Sequence, residues 1–178
     1  MNPELFKPCP DYFSLVSLPI IHDLLYLPEI GKQTPELIPS INNIIEYIMT
    51  REYQNLPGGY GIGFNGKRFY AIGWSITIPS FHNYRLENEA LFYLIHLSHF
   101  KIAHRSPWFT TMLKTLSEYK VADNIYEFPR NSIQEKKNAY FVGGHHLGVV
   151  ENRRLKKRNQ MESTYWYHVI RKNMKNAI

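Results

Sequence analysis

The chain has 178 residues, 44% of them hydrophobic and 15% aromatic, which is enough for one domain with a real core. Its only cysteine, Cys9, excludes an internal disulfide and a cysteine-based zinc site. The net charge of +6 is confined to the tail: residues 1–150 hold 13 Lys and Arg against 13 Asp and Glu, and the excess follows residue 150.

Residues 1–13 read as an extended lead-in broken by Pro3, Pro8 and Pro10, without the apolar stretch of a secretory signal. No apolar run reaches membrane-spanning length, so a cytoplasmic protein is expected. Residues 14–27 have helical apolar spacing, with Pro28 and Gly31 as stop signals. Thr34-Pro35-Glu36 is a helix-start signal for a second helix over 36–50, with Ile41, Ile44, Ile45 and Ile48 on one face. Pro39 is an alternative start for its regular part.

Leu56-Pro57-Gly58-Gly59 marks a turn, and a hairpin over 60–72 follows around Asn65-Gly66. Alternation puts Tyr60, Ile62, Phe69 and Ala71 on one face, and Gly61, Gly63, Arg68 and Tyr70 on the other. A long helix is predicted over 84–103, apolar nearly all round and so buried between neighbours. Ser106-Pro107 starts the next helix, over 107–121, with Trp108, Met112, Leu116 and Tyr119 on one stripe, and Asp123-Asn124 ends it. Gly143-Gly144 and Gly148 mark a loop, and a final amphipathic helix is predicted over 161–173 through Tyr165, Trp166, Val169 and Ile170. On that stripe Tyr165 and Trp166 read as core residues; exposed, they would instead stack bases.

The densest group of reactive side chains is Gly143-Gly144-His145-His146 with Glu151-Asn152-Arg153-Arg154. Two imidazoles, a carboxylate, an amide and two guanidiniums fall within twelve residues. The pattern names no reaction, and ordering a loop through backbone hydrogen bonds is the simpler role for Glu151 and Asn152. Gly61-Ile62-Gly63-Phe64-Asn65-Gly66 matches a nucleotide-binding fingerprint as text, but the helix that would meet a pyrophosphate is not predicted after it. His96, His99 and His104 have no H-E-x-x-H frame and read as packed histidines. No nucleophile elbow, P-loop, EF-hand or C-x-x-C pair is present, and no metal or cofactor is expected.

Two stretches together carry a resemblance. One is Tyr60-Gly61 with Tyr70-Ala71-Ile72-Gly73-Trp74-Ser75. The other is Tyr140-Phe141-Val142-Gly143-Gly144-His145-His146-Leu147-Gly148, leading into Glu151-Asn152-Arg153-Arg154 and Glu162-Ser163-Thr164. They resemble the C-terminal half of a group of bacterial proteins that look like the prenyltransferase and squalene-cyclase α/α toroid superfamily, over residues 36–172. The resemblance implies a mainly all-α fold of helix hairpins around a cavity. A closed toroid needs more helices than this chain supplies. Residues 1–178 are therefore expected to be one toroid-like domain: a partial array, a C-terminal fragment of a larger fold, or a half completed by a second chain. The cyclases' D-x-D-D motif and the zinc ligands of protein prenyltransferases are missing, and Val149-Val150 stand where the group has Leu-Gly.

Two functions follow as expectations. The first is a toroid-like domain binding an apolar or isoprenoid-type ligand. Tyr60, Tyr70, Trp74, His145, His146, Glu151 and Asn152 would line its site, and Arg153 or Arg154 would hold an anionic head. The second is nucleic-acid binding through the basic C-terminal segment, above all Lys156-Lys157-Arg158. That segment also reads more simply as the solvated face and frayed end of a last helix.

Overall fold

The computed structural model describes residues 21–55, 59–65, 68–74, 76–86, 89–133, 147–150, 152 and 154–178, with the backbone alone at 21–23, 59–65 and 68–74. Among these the protein is mainly helical, with two small antiparallel two-stranded sheets. No helix among them is long and apolar enough to cross a membrane.

Helix α1 is described over Ile21–Gln33 and runs through Pro28 and Gly31, the two residues expected to stop it. Leu24, Pro28 and Gly31 are all buried, one helical stripe at i, i+4 and i+7. An interior proline costs about 3 kcal/mol in an isolated helix, and packing of that stripe offsets it. Gly31 serves close approach rather than termination. A Cβ there would collide with Ile178 Cδ1 and sit 3.2 Å from Ile41 Cδ1.

A 3-10 turn over Pro35–Leu37 takes the proline-acid signal, without a side-chain cap from Thr34. The regular helix α2, Ile38–Ile48, starts at the later alternative, with Pro39 in its first turn and Ile41, Ile45 and Ile48 buried. Thr50 Oγ1 then accepts from Tyr53 N at 3.2 Å and caps the short helix α3, Arg51–Gln54.

Strands β1, Gly59–Asn65, and β2, Arg68–Trp74, form the expected hairpin. Asn65 pairs with Arg68 and Ile62 with Ala71. Asn65 is thus the last paired strand residue rather than a turn residue, a register two residues away from pairing around a central Asn65-Gly66. A shift of two keeps every residue on its expected face, because the side-chain period is two.

The chain then runs extended through 76–78, where α3 takes the place of a neighbouring strand. Tyr53 Oη accepts from Ile76 N at 2.8 Å. Gln54 Nε2 donates to Ile48 O at 2.8 Å and Ile76 O at 2.9 Å, and its Oε1 accepts from Ile78 N at 2.8 Å.

The helix expected over 84–103 is α4, Ala90–Leu97, only eight residues long. Ahead of it Ser80 and Tyr84 both have φ of 55°, in the left-handed region, which no helix contains. After it Ser98 Oγ turns back to Ile95 O at 2.5 Å. His99 N and Phe100 N donate three residues back, to His96 O and Leu97 O. Lys101 N donates instead to Ile178 O at 2.9 Å, and Ile178 N to His99 O at 3.0 Å. The C-terminal residues are therefore docked on this turn and not frayed.

Ser106 Oγ accepts from Phe109 N at 3.1 Å and opens α5, Pro107–Glu118, which buries Trp108, Phe109, Met112 and Leu116. It ends short of 121, because Lys120–Ala122 (β3) and Ile125–Tyr126 (β4) form a second hairpin. Asp123-Asn124 is its turn, with Asn124 at φ 54°. The last helix, α6, spans Arg158–Lys175 and extends the expected one at both ends. One buried cluster draws on α1, α2, α4, α5 and α6, including Leu24, Ile45, Leu94, Trp108 and Ile170.

Candidate functional site

Helix α6 packs Ile170, Trp166, Tyr167, Val169 and Met174 on the apolar cluster and adds polar side chains bonded to other segments. Asn159 Nδ2 donates to Phe128 O at 2.8 Å, and Ser163 Oγ accepts from Phe128 N at 2.9 Å. Thr164 Oγ1 accepts from Tyr126 N at 3.0 Å. Asn173 Nδ2 donates to Ile95 O at 3.4 Å and to the Ser98 hydroxyl at 3.0 Å. These bonds satisfy strand-edge and turn groups that burial would otherwise leave unpaired.

Glu162 anchors the exit of the Gly-Gly-His-His stretch. It is 2% exposed, and its Oε1 accepts from Val149 N and Val150 N, both at 3.1 Å. Its Oε2 lies 3.5 Å from Arg158 Nε. One turn on, Trp166 Nε1 donates to Leu147 O at 2.7 Å. A buried carboxylate with two backbone donors and a guanidinium is well compensated. The Glu162-Ser163-Thr164 triplet is thus a docking device for residues 126–128 and 147–150.

The expected site residues distribute as follows. Tyr60 lies on β1, and Tyr70 and Trp74 on β2, with register putting Tyr60 on one hairpin face and the other two on the opposite face. His145, His146, Glu151 and Arg153 lie outside the described residues. Asn152 and Arg154 are exposed, and Asn152 Oδ1 accepts from Arg154 N at 3.1 Å. That is the loop-ordering role of an Asx turn.

The histidines after α4 are packed. His104 Nε2 bonds Ser98 O at 2.9 Å, and its ring lies 4.9 Å from that of Phe109. Burial pushes His104 below its ordinary pKa; the Ser98 bond opposes this and Lys101 adds to it. Burial, then Lys32, lowers His99. Among the described residues no three His, Cys, Asp or Glu side chains are placed to hold a metal ion.

The solvent side of α6 differs from what the stripe implied. Residues 157, 160, 161, 164 and 165 share one face, opposite Ser163, Trp166 and Ile170. Tyr165 is 49% exposed and Met161 52% exposed, so Tyr165 is not core. With Ile125 of β4 they form an open groove of about 430 Å³, lined by Ile125, Lys157, Gln160, Met161, Thr164 and Tyr165. Trp166 is half-buried and meets the Tyr165 ring edge-on at 4.9 Å. Exposed Lys157 lines the groove, and exposed Arg154 and Lys156 precede it in the chain.

Ile125, Met161 and the outward Tyr165 were missed because adjacent aromatics leave a helix's phase ambiguous. The signal was available at positions 157, 161 and 165, one turn apart and led by a lysine. Half-buried Asn159 and buried Ser163 hid it, since polar residues usually face water. No protein-family model, curated protein or solved structure matches the chain.

Proposed function

We propose that the protein binds single-stranded nucleic acid along the outward face of α6. The observation that carries this reading is the half-exposed Tyr165 in an apolar groove with Lys157 at its rim. An exposed ring takes a base on its face without regard to sequence, worth about 1–3 kcal/mol per base. Lys156, Lys157 and Arg158 follow one another at the groove's end, where phosphates would lie. Residues 1–150 are balanced in charge, so the attraction comes from the C-terminal segment.

An isoprenoid-type ligand, the expectation attached to the toroid resemblance, would also need apolar length beside an anion site. A prenyl chain gains most from enclosure, and this groove is open, which favours the strand.

Fluorescence anisotropy with short DNA and RNA strands, between about 50 and 200 mM salt, tests the reading. Affinity is expected to fall steeply with salt. Neutralising Lys156, Lys157 and Arg158 should flatten the log–log slope by about 0.7 per lost contact. Tyr165→Ser should weaken binding at every salt and leave folding stability within about 0.5 kcal/mol. Retention unchanged in the neutralised variant rejects the reading. Stabilisation by a prenyl diphosphate without any strand binding replaces it with the isoprenoid one.

A further inference from the structure

Beside the groove, at the start of α6, lies a smaller pocket of about 100 Å³ lined by Arg130, Leu155, Lys156, Arg158 and Asn159. Its cations come from two parts of the chain: Arg130 from the 3-10 turn over Arg130–Ser132, Lys156 and Arg158 from the entry of α6. Glu162 offsets Arg158, and the like charges of Arg130 and Lys156 around one cavity repel each other. The nearby carboxylate, Glu162, is already committed to Val149 N, Val150 N and Arg158. Among the described residues Arg130 and Lys156 have no carboxylate partner.

Two further details fit an anion. The first turn of α6 has no acidic residue and no side-chain cap, so cations face the positive end of an 18-residue helix. Arg158 is held in place by its Nε contact with buried Glu162, and Asn159 by its bond to Phe128 O. Two of the five lining residues are therefore held before any ligand arrives.

We propose that this pocket holds one phosphate group as a dianionic monoester. A cavity of about 100 Å³ lined by cations suits a tetrahedral oxyanion. Guanidinium forks match phosphate oxygens, and the lysine adds a point charge. Lys156, Arg158 and Asn159 line this pocket while Lys157 and Gln160 line the groove, so the two adjoin across one helical turn. The inference deepens the strand-binding reading and rests on it only for the source of the phosphate, the end of a strand rather than the free ion.

The test uses the full chain. Inorganic phosphate is titrated against chloride at equal ionic strength, followed by backbone amide shifts. Short oligothymidylates with a 5′-phosphate, a 3′-phosphate or neither are compared by anisotropy. The variants are the double substitution Arg130→Gln with Lys156→Gln, both at exposed positions, and Tyr165→Ser.

Phosphate is expected to shift amides across 155–160, and one terminally phosphorylated strand to bind about tenfold tighter than the bare one. The double variant should lose both effects. Tyr165→Ser should weaken every strand and keep the advantage of the phosphorylated one. A phosphate response no larger than that of chloride, or one that survives the double variant, overturns the site. Strand binding without any phosphate response leaves the groove reading standing and removes the pocket. A phosphate response lost in the double variant, without strand binding, upholds the pocket and removes the strand.

Discussion

Helices α4 and α6 solve the same problem, docking on one core, by opposite means. Seven of the eight residues of α4 are buried and all seven are hydrophobic, Ala90 to Ile95 with Leu97. The far longer α6 fully buries only Glu162, Ser163 and Ile170. An apolar helix is held from every side and has no face left to use. A helix held on one side, by Ile170 and its half-buried neighbours together with side-chain-to-backbone bonds, keeps its other face open to solvent. In this protein that open face carries Tyr165, Met161 and the lysines.

The contrast should appear first as a difference in cost. Phe92→Ala on α4 removes a ring that is 1% exposed, and urea denaturation should show a loss of about 3–5 kcal/mol. A loss under 1 kcal/mol would mean that α4 is not the centre of the core.

Glu162→Ala on α6 should cost less, about 1–3 kcal/mol, because Val149 and Val150 can recover part of their bonding from water. The damage should be local, with faster amide exchange at 149 and 150 and little change in α4. Glu162→Gln keeps one acceptor oxygen and should retain much of the protection. Uniform exchange across the molecule would show that the triplet supports the whole fold, not two loops.

Much of this organisation could be read from the chain, for definable reasons. Ser106-Pro107 and the isoleucines at 41, 45 and 48 are local signals with local outcomes, and both helices form within the expected ranges though shorter than them. Gly31 misled because its role depends on Ile178 and Ile41, which are near in space rather than in sequence. The length of α4 could not be foreseen, because apolar residues do not record where φ changes sign, as it does at Ser80 and Tyr84. The second hairpin was foreshadowed by Asp123-Asn124 between Val121 and Ile125 but read as a helix stop. Of the candidate site, the basic run was visible, and the outward Tyr165 was not.

The smallest expected effect separates the two helices by pH. The turn after α4 carries His99 and His104, both held below the ordinary value of 6.5 by burial. Their folded forms bind protons less readily than the unfolded chain, so the stability they allow is complete above pH 6.5 and falls as pH drops below it. The urea midpoint should therefore decline gradually from pH 7 towards 5. His104→Gln, which keeps a donor for Ser98 O, should flatten part of that decline. An unchanged slope in that variant would assign the decline to other groups.

Gln54 sets a limit on how this chain can vary. Its amide uses a donor group twice and its acceptor once, on Ile48, Ile76 and Ile78, at a depth where water offers no substitute. Glutamate lacks the donor, lysine the acceptor, methionine both, and asparagine is one methylene short. Drift at position 54 is closed by stereochemistry, whereas an exposed neighbour such as Glu52 or Asn55 can change freely. The path between α3 and the strand-like segment is therefore fixed at a single letter of the sequence.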